Sequence, residues 1–273
     1  MYALSRYTIM LIAFVCLTTV AMRGRQTLIE RADQSSMSAL PKLFLWAWER
    51  PDDLRTLPPD VGAAYLAATL RVKGDRVITV PRMQPLMVPK ATSLIAVVRI
   101  EVDELRRTRL SDHIAAQLCR KITRCAALPG VQGVQIDFDA RQDEREFYAD
   151  LLRSLRSELP ASMPISITAL ASWCMCDTWM QKLPVDESVP MFFSMGRDTN
   201  RVLADTAANR KFGDRRCDKA LGLSLDEAKV NAIAVPAARE RALGQPIRFY
   251  IFSSRTWTSD LIKQAIHIAK GQL

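Results

Sequence analysis

The segment Gly133-Val-Gln-Ile-Asp-Phe-Asp-Ala140 reads as a β-strand with two chemically different faces. Side chains alternate along a strand, so Val134, Ile136 and Phe138 share one surface while Gln135, Asp137 and Asp139 share the other. The strand therefore ends in two carboxylates on one side. A buried charge without a partner is costly, so a strand that only fills a core seldom carries acids on a covered face. The pattern points to a site for a polyhydroxylated ligand. A structural alternative pairs Asp137 and Asp139 with Arg99 or Arg82 in a salt network inside the fold.

Outward from this segment, short apolar strands alternate with amphipathic helices, the order that gives a parallel sheet covered by helices. Eight strands are expected, over Leu43–Trp48, Ala64–Leu70, Leu94–Glu101, Val131–Phe138, Pro164–Leu170, Val189–Met195, Ala220–Leu223 and Ile247–Phe252. A turn at Lys73-Gly74-Asp75 extends the second into Arg76–Val80. Helices are expected over Ser111–Leu128, Arg141–Leu159, Thr199–Asn209, Leu225–Ile233 with Ser224 as N-cap, and Ser259–Lys270. Eight alternations in a chain of this length predict a single (β/α)8 TIM-type barrel domain over residues 41–273. Neither G-x-G-x-x-G nor G-x-x-x-x-G-K occurs, which argues against dinucleotide or nucleotide chemistry, and no cofactor is expected.

Residues 1–22 read as a signal peptide or N-terminal anchor, with Arg6 ahead of an apolar run from Thr8 to Ala21 and Thr19-Val20-Ala21 as a cleavage signal. The run is shorter than the roughly 20 residues that span a bilayer comfortably. Val15 before Cys16 argues against lipid attachment. Residues 23–40 read as a flexible tether. The expected location is exported, periplasmic or associated with the cell envelope, with any membrane contact made through the leader.

The 38 Lys and Arg outnumber the 29 Asp and Glu, giving a formal charge of +9. The basic clusters Arg106-Arg107-Thr108-Arg109, Arg120-Lys121 and Arg215-Arg216 lack interleaved aromatics, so solvated surface explains them and no nucleic-acid partner is expected. Outside the leader the cysteines are Cys119, Cys125, Cys174, Cys176 and Cys217. In an oxidising compartment an odd number leaves a free thiol or an intermolecular bond. A disulfide is expected between Cys174 and Cys217. Cys119 and Cys125 read as small buried groups on a helix. With only His113 and His267 in the chain, no metal site is expected.

Sites of such barrels collect at the carboxyl ends of the strands. There the sequence places Trp48 and Glu49, Arg99 and Glu101, Asp137 and Asp139 with Gln135, Trp173 and Asp177, Arg197, and Tyr250 and Trp257. Aromatic rings suit the C–H faces of sugars, and carboxylates and arginines suit hydroxyl groups, so these residues are expected to bind a carbohydrate. Residues two apart on a strand lie roughly 6–7 Å apart, between the retaining and inverting separations of glycosidase carboxylates. Proximity to Asp137 is expected to raise the pKa of Asp139 and suit it to proton donation, with Asp137 orienting it or stabilising positive charge. Glu49 and Glu101 compete for the place of a second carboxylate. The chain is expected to act as a monomer, either as a glycoside hydrolase or as a catalytically silent glycan-binding module.

The strings Leu43-Phe-Leu-Trp-Ala-Trp-Glu-Arg-Pro-Asp-Asp-Leu54, Val134-Gln-Ile-Asp-Phe-Asp-Ala140, Ile167-Thr-Ala-Leu-Ala-Ser-Trp-Cys174, and Val189-Pro-Met191 with Met195-Gly196, resemble an uncharacterised bacterial family, domain of unknown function 3142. More distantly, Gln132-Gly-Val-Gln-Ile-Asp-Phe-Asp139 resembles the fourth-strand D-G-x-D-x-D-x-E motif of family 18 glycoside hydrolases. Gln132 and Gln135 replace two of its aspartates, Asp137 matches the third, and Asp139 stands where the acid Glu belongs. That resemblance implies a barrel in which Asp139 protonates the glycosidic oxygen.

Overall fold

The computed structural model describes residues 37–103 and 110–272. The leader, most of the tether and the cluster Arg106–Arg109 lie outside the described residues. The strands are β1 Leu43–Ala47, β2 Asp52–Asp53, β3 Val61–Lys73, β4 Arg76–Pro81, β5 Leu86–Met87, β6 Leu94–Val102, β7 Val131–Asp137, β8 Ile165–Leu170, β9 Glu187–Met191, β10 Ala220–Ser224 and β11 Arg248–Phe252. The helices are α1 Asp112–Ala126, α2 Arg145–Glu158, α3 Ala171–Cys176, α4 Thr199–Ala207, α5 Ala228–Arg241 and α6 Ser259–Lys270.

The strands β1, β3, β6, β7, β8, β9, β10 and β11 follow one another in parallel, and β1 pairs with both β11 and β3, so the sheet closes into an eight-stranded barrel. The acidic segment is its fourth strand. Gly62 lies where β3 passes the Phe44 ring; a Cβ there would come within 2.2 Å of it, so the lumen wall at this point accepts only glycine.

Among the described residues no helix separates β1 from β3 or β3 from β6. The hairpin of β3 and β4 takes that place. Val77 on β4 is buried against the outer core, and the α1 residue Gln117 accepts a hydrogen bond from its N–H (3.1 Å) and donates to Asp75 O (2.9 Å). Lys121 donates to the Thr79 hydroxyl. Helix α1 and Pro81 thereby cover a strand edge that would otherwise be open to pairing. The next two helices show how sequence sets the outer layer. Ser111 caps α1 by accepting from Ile114 N, and α2 turns Tyr148, Leu151, Leu152 and Leu155 inward, each such leucine contributing about 1.5–3 kcal/mol by burial.

The expected helix from Leu225 to Ile233 runs instead from Ala228 to Arg241. Ser224 does not cap it; its hydroxyl accepts from Asp226 N in the preceding turn, and Glu227 holds the N-cap position. The helix continues through Pro236, which lies on the exposed side, where water can satisfy the carbonyl of Ala232 that lacks an intrahelical donor. Strand β9 begins earlier than expected, at Glu187, and ends at Met191.

Cys174 and Cys217 form the expected disulfide, with Cα atoms 6.0 Å apart, tying α3 to the turn before β10. The backbone between them runs tightly: a Cβ on Gly213 would approach Asp177 O to 2.7 Å. Disulfides of this kind persist in oxidising compartments. Cys119 and Cys125 are buried thiols on α1, as expected, and burial pushes the Cys119 thiol up to about 12. Neither is poised for reactivity. With the linked positions 43 apart in sequence, Cys217→Ser is expected to cost about 2–4 kcal/mol in urea unfolding. An equal loss from treating the wild type with reductant would tie the effect to the bond rather than to packing of the side chain.

Candidate functional site

The barrel interior is built in levels, and only the uppermost is open. At the amino-terminal end of the strands, Arg248 and Glu187 form a buried ion pair, and Arg248 also donates to the carbonyls of Pro41 (2.8 Å) and Met37 (2.6 Å). Above them the Tyr250 hydroxyl donates to Glu187 Oε2 (2.7 Å), and the Ser166 hydroxyl to the same oxygen (3.4 Å). Gln135 continues the chain, donating to Ser166 Oγ (3.1 Å) and accepting from the Trp46 indole N–H (2.7 Å). Phe44 and Trp46 pack around the Tyr250 ring at centroid distances of 5.4 Å. This satisfied network fills the lumen, so a ligand has no room below the level of Trp46.

At the mouth, the pleat and register fix the polar set. Arg99 of β6 lies beside Asp137 of β7, and Arg71 of β3 beside Glu101 of β6. Thr168 of β8 donates to Asp137 Oδ1 (2.8 Å), Arg99 Nη1 lies 3.5 Å from Asp137 Oδ2, and Arg99 Nε lies 3.2 Å from Glu101 Oε1. Arg71 in turn bonds Glu101 at 2.9 Å. The Arg99 guanidinium also sits over the Trp48 ring, 5.9 Å from its centroid. Asp137 is buried, whereas Asp139, just past the end of β7, is exposed. The two acids, with Arg99, Glu101, Arg141 and Glu144, line a cleft of about 200 Å³.

Burial raises the Asp137 carboxyl above the usual carboxylate range, against the lowering by the Thr168 hydrogen bond and Arg99; the charges of Asp139 and Glu101 add to the rise. Asp139 is raised too, by desolvation, with Arg99 opposing. The sequence attributes that rise to the neighbouring acid; in the structure the protein around the carboxyl causes it. Because the folded-state pKa of Asp137 lies above its unfolded value near 3.9, its ionised form weakens the fold at neutral pH; the penalty fades as pH falls from the folded value toward the unfolded one and is gone below it. Asp137→Asn, which keeps an acceptor for Thr168, is therefore expected to unfold at higher urea than wild type at pH 7. The gap should close below about pH 4; a gap that widens on acidification would reverse the assigned sign.

The remaining expected residues divide by location. Trp48 is half-buried at the mouth, edge-on to Phe252 at 6.4 Å. Arg197 is exposed in the turn after β9. Glu49 is exposed and holds the loop after β4, accepting from Met83 N (2.9 Å) and Gln84 N (3.0 Å). Gln135 and Tyr250 face the lumen as their strand parity requires, but they lie below the mouth in the closed network. Trp257 is also away from the cleft: it is buried in the outer core, and its indole N–H donates to Trp46 O (2.9 Å). Trp173 packs against Trp179 at 5.2 Å behind the strand ends, beneath Arg145, which pairs with Asp177 at 2.8 Å. These two tryptophans present no open face to a sugar. Arg82 does not pair with the acids. It donates to the carbonyls of Ala47, Trp48 and Arg50 and lies 3.6 Å from buried Asp52, so it fixes the loop that carries Trp48.

Three mouth residues were not anticipated. Phe193 and Phe252 stack at 5.7 Å beside Trp48, both half-buried, and Thr168 holds Asp137. Register supplies a signal for Thr168, because Gln135 pairs with Ser166 and the next residues on that face are Asp137 and Thr168. Nothing in the local sequence of Phe193 marks it, since it follows the end of β9.

Residues 90–220 match the family model described as domain of unknown function (DUF3142). No curated protein matches the chain. Among solved structures, one described as "putative Chitinase A" from Streptomyces coelicolor aligns with a TM-score of 0.53 at 11% identity, covering 84% of this chain and 98% of that one. The chitinase domain of the spore coat protein CotE from Clostridium difficile aligns with a TM-score of 0.36 at 10% identity, over 77% of this chain and 64% of that one. At such identity the first likeness is one of fold, the closed eight-stranded barrel.

Proposed function

We propose that this barrel binds a glycan across its carboxyl-terminal mouth and cleaves it with Asp139 as proton donor. The observation that carries the reading is the cleft at the end of β7, where exposed Asp139, with a raised pKa, stands in front of buried Asp137. A donor must hold its proton near the working pH and reach the leaving oxygen, and of the two acids Asp139 is the accessible one. In the proposed reaction Asp139 gives its proton to the glycosidic oxygen as the bond from that oxygen to the anomeric carbon breaks. The Asp137 carboxylate, held by Thr168 and Arg99, offsets positive charge growing on the sugar. Water adds to the anomeric carbon, and its proton restores Asp139. Trp48, Phe193 and Phe252 offer apolar faces to the sugar rings, while Arg99 and Glu101 take hydroxyl groups.

A second reading, a silent glycan-binding module of the envelope, draws on Arg99 neutralising Asp137 and on Gln135 standing where the hydrolase motif has an acid. Both readings place the domain outside the cytosol, behind the leader and tether, as a monomer; the disulfide supports that placement. Calorimetric titration with a panel of β-linked hexasaccharides, followed by product analysis by mass spectrometry, separates them. Binding with product release supports the hydrolase, and binding without product supports the module. Failure of every glycan to bind would remove both.

A further inference from the structure

The opposite end of the barrel holds a second and larger cavity, of about 570 Å³, which the glycan reading does not use. It lies at the amino-terminal ends of the strands, where Leu43, Val61, Ile247 and Phe249 give it an apolar floor and α6 contributes Ile266. Its charged lining is lopsided: Lys42, Arg239 and Lys270 against Asp60. The Arg239 guanidinium covers the Phe249 ring at 5.6 Å and donates to Ala269 O, which fixes its charge at the rim. Next to the lining residue Gly244, Leu243 stands 87% exposed, the most exposed large apolar side chain among the described residues. The chain also enters the barrel at this end, since Arg248 holds the carbonyls of Met37 and Pro41 just before Lys42. Met37, the first described residue, is thereby held on the same face.

An apolar floor under a cationic rim, with a projecting leucine beside it, matches one chemistry: an acyl chain below an anionic headgroup at a membrane surface. We infer that this face seats an anionic phospholipid, its phosphate between Lys42, Arg239 and Lys270 and its chain on the floor, which turns the acidic mouth away from the bilayer. A free anion leaves the floor unfilled, and a neutral amphiphile leaves the excess positive charge of the rim unmatched. Burial, and then the like charge of Arg248, holds the Lys42 ammonium below its ordinary range, with Glu187 opposing. The inference does not depend on catalysis at the other end of the barrel.

The test is calorimetric titration of the full chain with dihexanoyl phosphatidylglycerol below its micelle concentration, beside dihexanoyl phosphatidylcholine and inorganic phosphate. Saturable binding of the anionic lipid is expected, at least tenfold tighter than either control. Lys42→Gln and Lys270→Gln, at exposed positions where the fold is expected to be indifferent, should each weaken it about tenfold with unchanged thermal unfolding. Phosphate binding as tightly would reduce the site to an anion site, and equal binding of the neutral lipid would remove the role of charge; either overturns the inference. Lipid uptake that both lysine variants leave intact belongs elsewhere in the chain and overturns it as well.

Discussion

Arg248→Met is expected to destabilise the protein by about 3–5 kcal/mol, the cost of removing one partner from a buried ion pair. Glu187 is 1% exposed and would lose its paired guanidinium; among the described residues the Tyr250 and Ser166 hydroxyls would remain as its side-chain donors. Arg248 also satisfies the carbonyls of Met37 and Pro41, so the same change frees the segment that plugs the amino-terminal end of the lumen. Glu187→Gln keeps an acceptor for Tyr250 and leaves those carbonyls bonded, and is expected to cost less. Urea unfolding of both variants checks the order. If Arg248→Met unfolds at the wild-type midpoint, the lumen network does not hold the barrel closed.

Asp139→Asn is expected to lower turnover about 10²–10⁴-fold, the usual contribution of a positioned general acid, while leaving glycan affinity within a few-fold of wild type. The side chain lies past the end of β7 at the exposed edge of the cleft, where an amide fits without repacking, so unfolding should be unchanged. An amide still bonds a hydroxyl group but has no proton to give. Asp137→Asn is a separate case: it removes the negative charge facing the sugar and lowers turnover through the transition state, with its own effect on stability at pH 7. Full turnover by Asp139→Asn on a glycan that the wild type cleaves would show that Asp139 is not the donor.

The barrel was legible in the sequence because its strands are short apolar runs, most of them followed by a helix with a clear face, and each of the eight overlaps an expected one; the hairpin that stands in place of the first two helices was legible only as a turn at Lys73-Gly74-Asp75. The disulfide was legible for a related reason: Cys174 directly follows a strand, near a loop that carries Cys217. Depth and direction were not. Strand parity turns Gln135 and Tyr250 toward the lumen correctly, yet parity does not say how far below the mouth a residue lies, and both sit in the closed network. Trp173 and Trp257 follow strand ends, but the chain there has already folded outward over the strands, so their rings join the outer core. Phe252 shares a strand face with Tyr250 and stands one residue pair nearer the mouth, so parity offers it; Phe193, past the end of β9, stacks on it across β10, a tertiary fact with no local pattern. The salt-network alternative also proved partly real: Arg99 does pair with Asp137, while Arg82 fixes backbone carbonyls instead.

Hydrogen–deuterium exchange of the full chain, with and without a hexasaccharide that binds, tests the placement of the site most directly. Protection is predicted at the ends of β6 and β7, over residues 99–102 and 137–141, and around Phe193 and Phe252. Protection confined to the amino-terminal end of the barrel, or none at saturation, would contradict it.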